Sequence, residues 1–570
     1  MKLLPTLIMM AVLGLIYAES TEKTFNQPNI VIIMADDLGI DDVSFHGKKQ
    51  HITPNMDALA YHGMILQHHY TPPICTPSRS AFMTGKYPIH TATQHFVISN
   101  EQPWGLPVNI TTIAEVFKDG GYSTNLVGKW HLGLAEKEYF PTERGFDYHY
   151  GYLGGYIDYY NRMALMPIPG TNIGYDFRRN LNIECGAQNT YVTDLLTTEA
   201  ENVIKAHDTE KPLFLLVNHL APHTGNEDEP LQAPKEEIEK FNYIEDENRR
   251  IYAAMISKLD DSIGNITKAL DDKGILDNTI LIFYADNGAP SLGFFANTGS
   301  NYPFRGQKNT PWEGGVRVAG AIWSPLLQNP KSVFDQHMYV ADWLPTLATA
   351  AGIEIDPLLE LDGIDLWDNL VSGKKEPSGR EIVHMLDDID NVVSIMSNGF
   401  KYVKGTTIAG KYDTVLMGRQ KEQDPRDINY ATTILNSTTS KVLAKYDKTP
   451  LTENEINNLR TLGEIKCANP KVKNSCNPLI EECLYNINED PCEENNLARD
   501  DSFKSVLQDM RDITEEQRAT ARKPANMKGL SWADPSVHDC TWTNFLQVPQ
   551  KRKISNCSYR RKPCPAVLDS

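Results

Sequence analysis

The 570-residue chain has no surplus of positive charge: Lys and Arg total 55 against 74 Asp and Glu, a formal net charge of −19. A nucleic-acid binder needs a basic footprint, so that class is excluded. Past residue 18 no apolar run reaches the ~20 residues that a membrane-spanning helix needs. Internal repeats and low-complexity linkers are missing, which excludes solenoids and other repeat arrays. The nine cysteines include no Cys-x-x-Cys pair, which argues against a structural zinc module. The chain ends without a retention tetrapeptide. What remains, 41% hydrophobic and 23% charged residues, is ordinary globular composition on a chain too long for one small core.

Residues 1–18 combine Lys2, an apolar stretch and the small residue Ala18, the pattern of a signal peptide. Such a leader sends the chain into an oxidising compartment, where cysteines pair. The cysteines are Cys75, Cys185, Cys467, Cys476, Cys483, Cys492, Cys540, Cys557 and Cys564. Cys483 and Cys492 flank the turn-like run Asn488-Glu489-Asp490-Pro491 and are candidates to pair with each other. Asn109, Asn265, Asn436 and Asn556 head glycosylation sequons.

Strand and helix signals alternate over residues 28–350, which predicts an α/β core: a large mixed, mostly parallel sheet flanked by helices. Residues 29–34, 122–127, 213–217 and 279–285 read as buried strands. Thr112 and Glu115 form a capping-box pattern opening a helix that Gly120-Gly121 stops. Ile251, Met255, Leu259, Ile263, Ile266 and Leu270 keep helical spacing before Gly274. Another helix begins near Asp342. Residues 374–379 read as a linker, so a catalytic unit of 19–375 is expected before a smaller α+β domain of 376–570 with a Cys-rich tail.

Polar residues fall where the strands end. Asp36 and Asp37 follow the first, Lys129 and His131 the second, His219 and His223 the third, and Asp286 and Asn287 the fourth. The ligand crevice of an open α/β sheet lies along that edge. Any one pair alone reads better as a turn or cap; four converging ends, with the Cys motif, describe a site. Asp36, Asp37, Asp286 and Asn287 offer only oxygen, the ligand set of a hard cation such as Ca²⁺, with Mg²⁺ second. The His-x-x-x-His spacing of His219 and His223 is interrupted by Pro222 and lacks a helical Glu, so it is not a zinc motif. Cys75-Thr76-Pro77-Ser78-Arg79 precedes a short helix expected over residues 78–83, whose positive end favours an anion. Arg79, Lys129, His131, His223 and Lys308 make a local basic set within an acidic whole.

On six segments the chain resembles the type I sulfatases of the alkaline phosphatase superfamily, most of all their arylsulfatase B (N-acetylgalactosamine-4-sulfatase) branch. The segments are residues 34–39, 75–86, 128–133, 286–288, 312–317 and 342–347, and the resemblance runs from about residue 28 to about 500. It implies that a formylglycine-generating enzyme reads Cys-x-Pro-x-Arg and oxidises Cys75. Eight cysteines then remain, enough for four disulfides. It implies Ca²⁺ held by Asp36, Asp37, Asp286, Asn287 and the modified Cys75. Arg79 and Lys129 would hold the aldehyde hydrate, and His223 and Lys308 would grip the sulfate and protonate the leaving oxygen. His131 would be the base that releases sulfate. Either Asp286 or the metal would activate the attacking hydroxyl.

The departures concern substrate. Residues 218–228 are expected to form an extended acidic loop beside His223, with Gly225 where the family has Pro. Residues 291–303 place Phe294, Phe295 and Tyr302 near the mouth, either to stack on substrate or to pack. A sulfated sugar, an aryl sulfate and a glucosinolate all stay open as substrates, and the acidic loop favours a small monosulfate over a polyanion. Two other readings stand beside the sulfatase: a phosphodiesterase or phosphonate hydrolase of the same superfamily, and a non-catalytic secreted binding protein. Location is the secretory pathway, either lysosomal or extracellular.

Overall fold

A computed structural model describes residues 27–47, 49–165, 173–375, 380–417, 422–467 and 476–551. The expected signal peptide, the Asn556 sequon, Cys557, Cys564 and residues 376–379 of the expected linker lie outside them.

Five parallel strands form the middle of a ten-stranded sheet. They are β1 (Asn29–Ala35), β2 (Ser123–Lys129), β3 (Tyr148–Tyr152), β4 (Leu213–Asn218) and β5 (Thr279–Ala285). Their spatial order is β5-β1-β4-β2-β3, each neighbouring pair parallel. Antiparallel strands extend both flanks, with Gly320–Trp323 on β5 and Arg178–Arg179 on β3. The sheet is mixed with a parallel centre, the α/β fold that the alternation of signals predicts.

Strands β1, β4 and β5 are apolar along nearly their whole length because both their faces are covered. Val31, Ile33, Leu215, Val217, Leu281 and Phe283 belong to one core. Ile30, Ile32, Phe214, Leu216, Ile280 and Ile282 belong to the other. Each such side chain, fully buried, contributes about 1.5–3 kcal/mol. The second core takes Ala81, Phe82 and Met83 of helix α1 (Cys75–Thr84) and Ile113, Ala114 and Phe117 of α2 (Ile113–Asp119). The first takes the periodic apolar stripe of α3 (Glu247–Lys273), from Met255 to Leu270. The capping box on α2 is present: the Thr112 hydroxyl accepts from Glu115 N–H at 3.2 Å, and Glu115 Oε2 accepts from Thr112 N–H at 2.7 Å. Gly274 closes α3 in the left-handed region at φ 75°.

Helix α1 starts earlier than residues 78–83. Cys75 is itself its first residue, behind the extended Ile74. Pro77 does not delay it, because the first-turn N–H groups of a helix have no partner within it.

The later part of the chain forms a four-stranded antiparallel sheet of Glu381–Asp387, Val392–Ser397, Phe400–Lys404 and Cys483–Asn486. Helix Lys504–Thr520 packs on it. This sheet shares a core with the larger one, since Ile382, Ile395 and Tyr402 cluster with Ile30 and Ile32. A buried ion triad stitches the two together: Lys401 Nζ lies 2.9 Å from Glu313 and 2.8 Å from Glu493, all three fully buried.

The disulfides correct the expected pairing. Cys476 bonds Cys483, and Cys467 bonds Cys492. Cys483 opens the strand that pairs with Phe400–Lys404, and Cys476 meets it there with 5.9 Å between Cα atoms, within the reach of a disulfide. Cys185 and Cys540 are also disulfide-bonded. Cys75 is free.

Candidate active site

The sheet brings the four predicted strand ends to one crevice. Asp36 follows β1 and is tied to the next loop by its N–H donating to Ala221 O, at 3.2 Å. Asp286 follows β5, with its N–H donating to Ala35 O at 3.0 Å. Lys129 is the last residue of β2, and Asn218, which ends β4, donates its Nδ2 to Lys129 O at 2.9 Å. Asp37 and His131 both stand in the left-handed region, at φ 64° and 61°. Non-glycine residues held there concentrate at functional sites.

Three buried carboxylates meet two buried cations, Arg79 and Lys129, and the partly buried Lys308. Lys129 Nζ lies 2.7 Å from Asp36 Oδ2. Arg79 donates from Nε and Nη2 to Asp286 Oδ2 at 3.1 and 2.8 Å, and its Nη2 lies 3.7 Å from Asp36. Lys308 Nζ lies 2.6 Å from Asp37 Oδ1. The side chains alone therefore balance at three charges of each sign. Burial alone would raise the Asp36 pKa, but Lys129, with help from His223 and Arg79, brings it below its ordinary value. Asp286 moves the other way, raised by burial and by Asp36 against the pull of Arg79. Burial works against the Lys308 charge, yet Asp37 holds the ammonium above its ordinary range.

Cys75 sits among these groups, with Sγ 3.7 Å from Asp36 Oδ1. Burial pushes its thiol up to about 12, despite Lys129 and Lys308 nearby. An unmodified Cys75 thus stays a thiol at neutral pH and is a poor nucleophile.

His131 and His223 line the same cleft as Cys75 and Lys308. His131 Nε2 lies 3.1 Å from Ile98 O. A carbonyl only accepts, so Nε2 carries the proton and Nδ1 keeps a lone pair. That Nδ1 is buried and has no partner among the described residues. Burial, then Lys129 and Arg79, holds the His131 pKa well below the ordinary value, which keeps the ring neutral. His223 Nε2 lies 3.4 Å from Asp37 Oδ2, and burial lowers its pKa against the opposing pull of Asp37. His219 is elsewhere: its Nε2 meets Ser262 Oγ on α3 at 2.9 Å. Of His219 and His223, it is therefore His223 that lines the cleft.

The donor set suits a hard cation. Asp36, Asp37, Asp286 and Asn287 are fully buried oxygen carriers, and the Oδ1 of Asn287 has no partner among the described residues. The Nδ2 of Asn287 is already committed to Asp37 Oδ1 at 2.7 Å and to Gly288 O at 3.0 Å, which turns Oδ1 outward as a free acceptor. Ligand atoms of Asp36, Asp37, Cys75 and His223 lie within 4.8 Å of one another.

Two expectations about the mouth change. Residues 218–226 are buried, and Asn226 holds them by accepting from Leu165 N–H at 2.9 Å and donating to Met163 O at 3.0 Å. Only residues 227–230 are exposed, and none of these lines the cleft. The acidic loop is a short tip rather than an extended wall. Phe294 and Phe295 do line the cleft, but Tyr302 does not. Ser300 pulls that end of the segment away, its N–H to Asp42 and its hydroxyl to Asp41, both at 2.6 Å. Tyr302 borders a separate hollow with Asp41 and His46.

Thr76 is a residue that motif reading missed. Its hydroxyl donates to His131 O at 3.0 Å and accepts from Ile98 N–H at 3.1 Å. It thus fixes both His131 and the carbonyl that sets the His131 tautomer. No sequence signal separates it from any other Thr in a motif's variable position. Thr76→Val is expected to lower kcat about tenfold with KM changed less than about twofold, and Thr76→Ser to restore most of it. Steady-state kinetics on the two variants checks this.

Residues 28–353 match the Sulfatase family model. Arylsulfatase J of Mus musculus is 43% identical over 376 residues, 66% of this chain and 60% of its own length. The chain thus spans less than two thirds of that relative. Arylsulfatase A of Homo sapiens is 32% identical over 368 residues, 61% of this chain and 69% of its own. The crystal structure of Ps i-CgsB in complex with k-i-k-neocarrahexaose has the same fold, with a TM-score of 0.68 at 26% identity over 89% of this chain and 95% of that one. With the family model matching more than half of its length, the chain belongs to the sulfatase family.

Proposed function

We propose that this chain hydrolyses sulfate monoesters, using formylglycine made from Cys75 in the secretory pathway by a formylglycine-generating enzyme. One observation carries the reading. Cys75 stands at the first turn of α1, disulfide-free and too weakly acidic to serve as a thiolate, inside a ring of Asp36, Arg79, Lys129, His131, His223 and Lys308. The hydrated aldehyde supplies an oxygen nucleophile whose second hydroxyl gives sulfate an internal way out, which a Ser ester lacks.

The neighbouring side chains have matching tasks. The positive end of α1 and the unpartnered Nη1 of Arg79 favour an anion above residue 75. Arg79 and Lys129 orient the hydrate. Lys308 and His223 hold the sulfate, and either can give a proton to the departing alcohol oxygen. His131, neutral and with a free Nδ1, takes the proton from the second hydroxyl as sulfate departs. Asp36, Asp37, Asp286 and Asn287 would hold a divalent cation, Ca²⁺ before Mg²⁺. Such an ion supplies Lewis-acid polarisation of a sulfate oxygen. Passage through the secretory pathway is supported by the disulfides and by Asn109, Asn265 and Asn436, which are all exposed.

The test compares two esters of 4-nitrophenol with the protein secreted by formylglycine-installing cells. 4-Nitrophenyl sulfate is expected to turn over with kcat/KM at least about 100-fold above methyl 4-nitrophenyl phosphate, a gap that transition-state discrimination readily supplies. The reverse order would replace the sulfatase with the phosphodiesterase reading.

A further inference from the structure

We propose that the cleft above Cys75 holds the alcohol half of the substrate as an apolar, ring-bearing group. The esters it selects are then those of aromatic or fused-ring alcohols rather than sulfated polysaccharides. This rests on the sulfatase reading and adds the substrate class.

The cleft has a cavity volume of about 180 Å³ and is open to solvent at its mouth. Cys75, His131, His223 and Lys308 lie at its polar end. Phe96, Tyr156, Phe294, Phe295, Ile408 and Tyr412 make a collar over them. Three of these leave about half their surface to water: Phe96 46%, Phe294 52% and Ile408 53%. Large apolar groups gathered in water around one opening mark a binding surface.

The collar is built rather than incidental. Phe96, Phe295 and Ile408 hold φ values of 55°, 57° and 49°. Bulky and β-branched residues rarely take the left-handed region, and structures that hold them there do so at functional sites. Phe295 is braced edge-on by Tyr156 at 4.9 Å between ring centroids and by His223 at 5.5 Å. Gln307 clamps the neighbouring Leu292, accepting from its N–H at 3.0 Å and donating to its carbonyl at 2.9 Å. Tyr412 reaches across from the later part of the chain and seats its hydroxyl against Gly293, where a Cβ would come within 1.9 Å of it.

The charges point the same way. Among the described residues lining the cleft, Lys308 is the only lysine or arginine, and Asp37 already engages it. Lys411, 5.3 Å from the Tyr412 ring centroid, adds one charge beside the collar. The hollow that adjoins the cleft through Ile74, Phe96 and Asn309 carries Asp387 and Asp390. A sulfated chain running past Phe96 would meet these carboxylates instead of the arginines and lysines that a polyanion needs. An aromatic or fused ring stacks on the collar without any such partner.

The test uses two sulfates of unactivated alcohols, so that leaving-group chemistry is matched: a fused-ring secondary alcohol sulfate and N-acetylgalactosamine 4-sulfate. The wild-type chain is expected to favour the fused-ring ester at least about tenfold in kcat/KM. Phe294→Ala and Phe96→Ala should raise KM for it about fivefold to tenfold with little change in kcat, and affect the sugar sulfate several-fold less. Equal or better use of the sugar sulfate, or equal losses on both esters, overturns the proposal. Loss of turnover on every sulfate, with formylglycine present, would sink the sulfatase reading instead. Calorimetry on Cys75→Ala then decides: fused-ring sulfate bound at least about tenfold tighter than the sugar sulfate upholds the collar, and equal affinity overturns it.

Discussion

Cys75→Ser is expected to lower sulfate release from 4-nitrophenyl sulfate by about 10⁴-fold or more, with little change in folding. The expected loss is that of removing a catalytic nucleophile. The substitution keeps the shape of the side chain and places a hydroxyl beside Asp36 Oδ1, where the thiol now lies at 3.7 Å. Helix α1 starts behind Ile74 without a side-chain cap, so the substitution leaves its start in place. Under the proposed modification, which reads Cys, a Ser at this position would not become the aldehyde. A Ser that attacked sulfur would be left as an inert sulfate ester, and one turnover would end the reaction. Initial rates alongside thermal melting separate lost chemistry from lost fold. Activity within tenfold of wild type would mean that residue 75 is not the nucleophile.

Chelation is expected to have the second-largest effect. Treatment with a strong divalent-cation chelator should lower kcat/KM at least about 100-fold and lower the melting temperature, with Ca²⁺ restoring both better than Mg²⁺. The charge count explains why activity suffers more than the fold. Asp36, Asp37 and Asp286 are already paired with Lys129, Lys308 and Arg79, so the metal-free crevice is close to neutral and can persist. A divalent cation held there would make the crevice doubly positive, which would favour an anionic ester, and Asn287 Oδ1 is placed to be one of its ligands. Activity and melting temperature both indifferent to the chelator would contradict the metal assignment.

Much of this architecture was legible in the sequence because the physics is local. The apolar runs of β1, β4 and β5 can only be buried on both faces, and the polar residues directly after them must then share one edge. The capping box at Thr112 and the stop at Gly274 are written in a few adjacent residues. Long-range geometry was not legible. Whether His219 or His223 enters the cleft depends on Ser262 of α3, forty residues away. The disulfide partners of Cys483 and Cys492 depend on a strand pairing with Phe400–Lys404. The departure of Tyr302 from the mouth follows from Asp41 and Asp42, far upstream. The role of Thr76 follows from a loop carbonyl at Ile98 that no motif contains.

The central claim is that an aldehyde at position 75 performs the reaction. Its most direct test is the rate of sulfate release per mole of protein, measured across preparations whose formylglycine content at residue 75 has been read by peptide mass spectrometry. The account predicts a straight line through the origin. A rate that stays constant while formylglycine falls to nothing would contradict it.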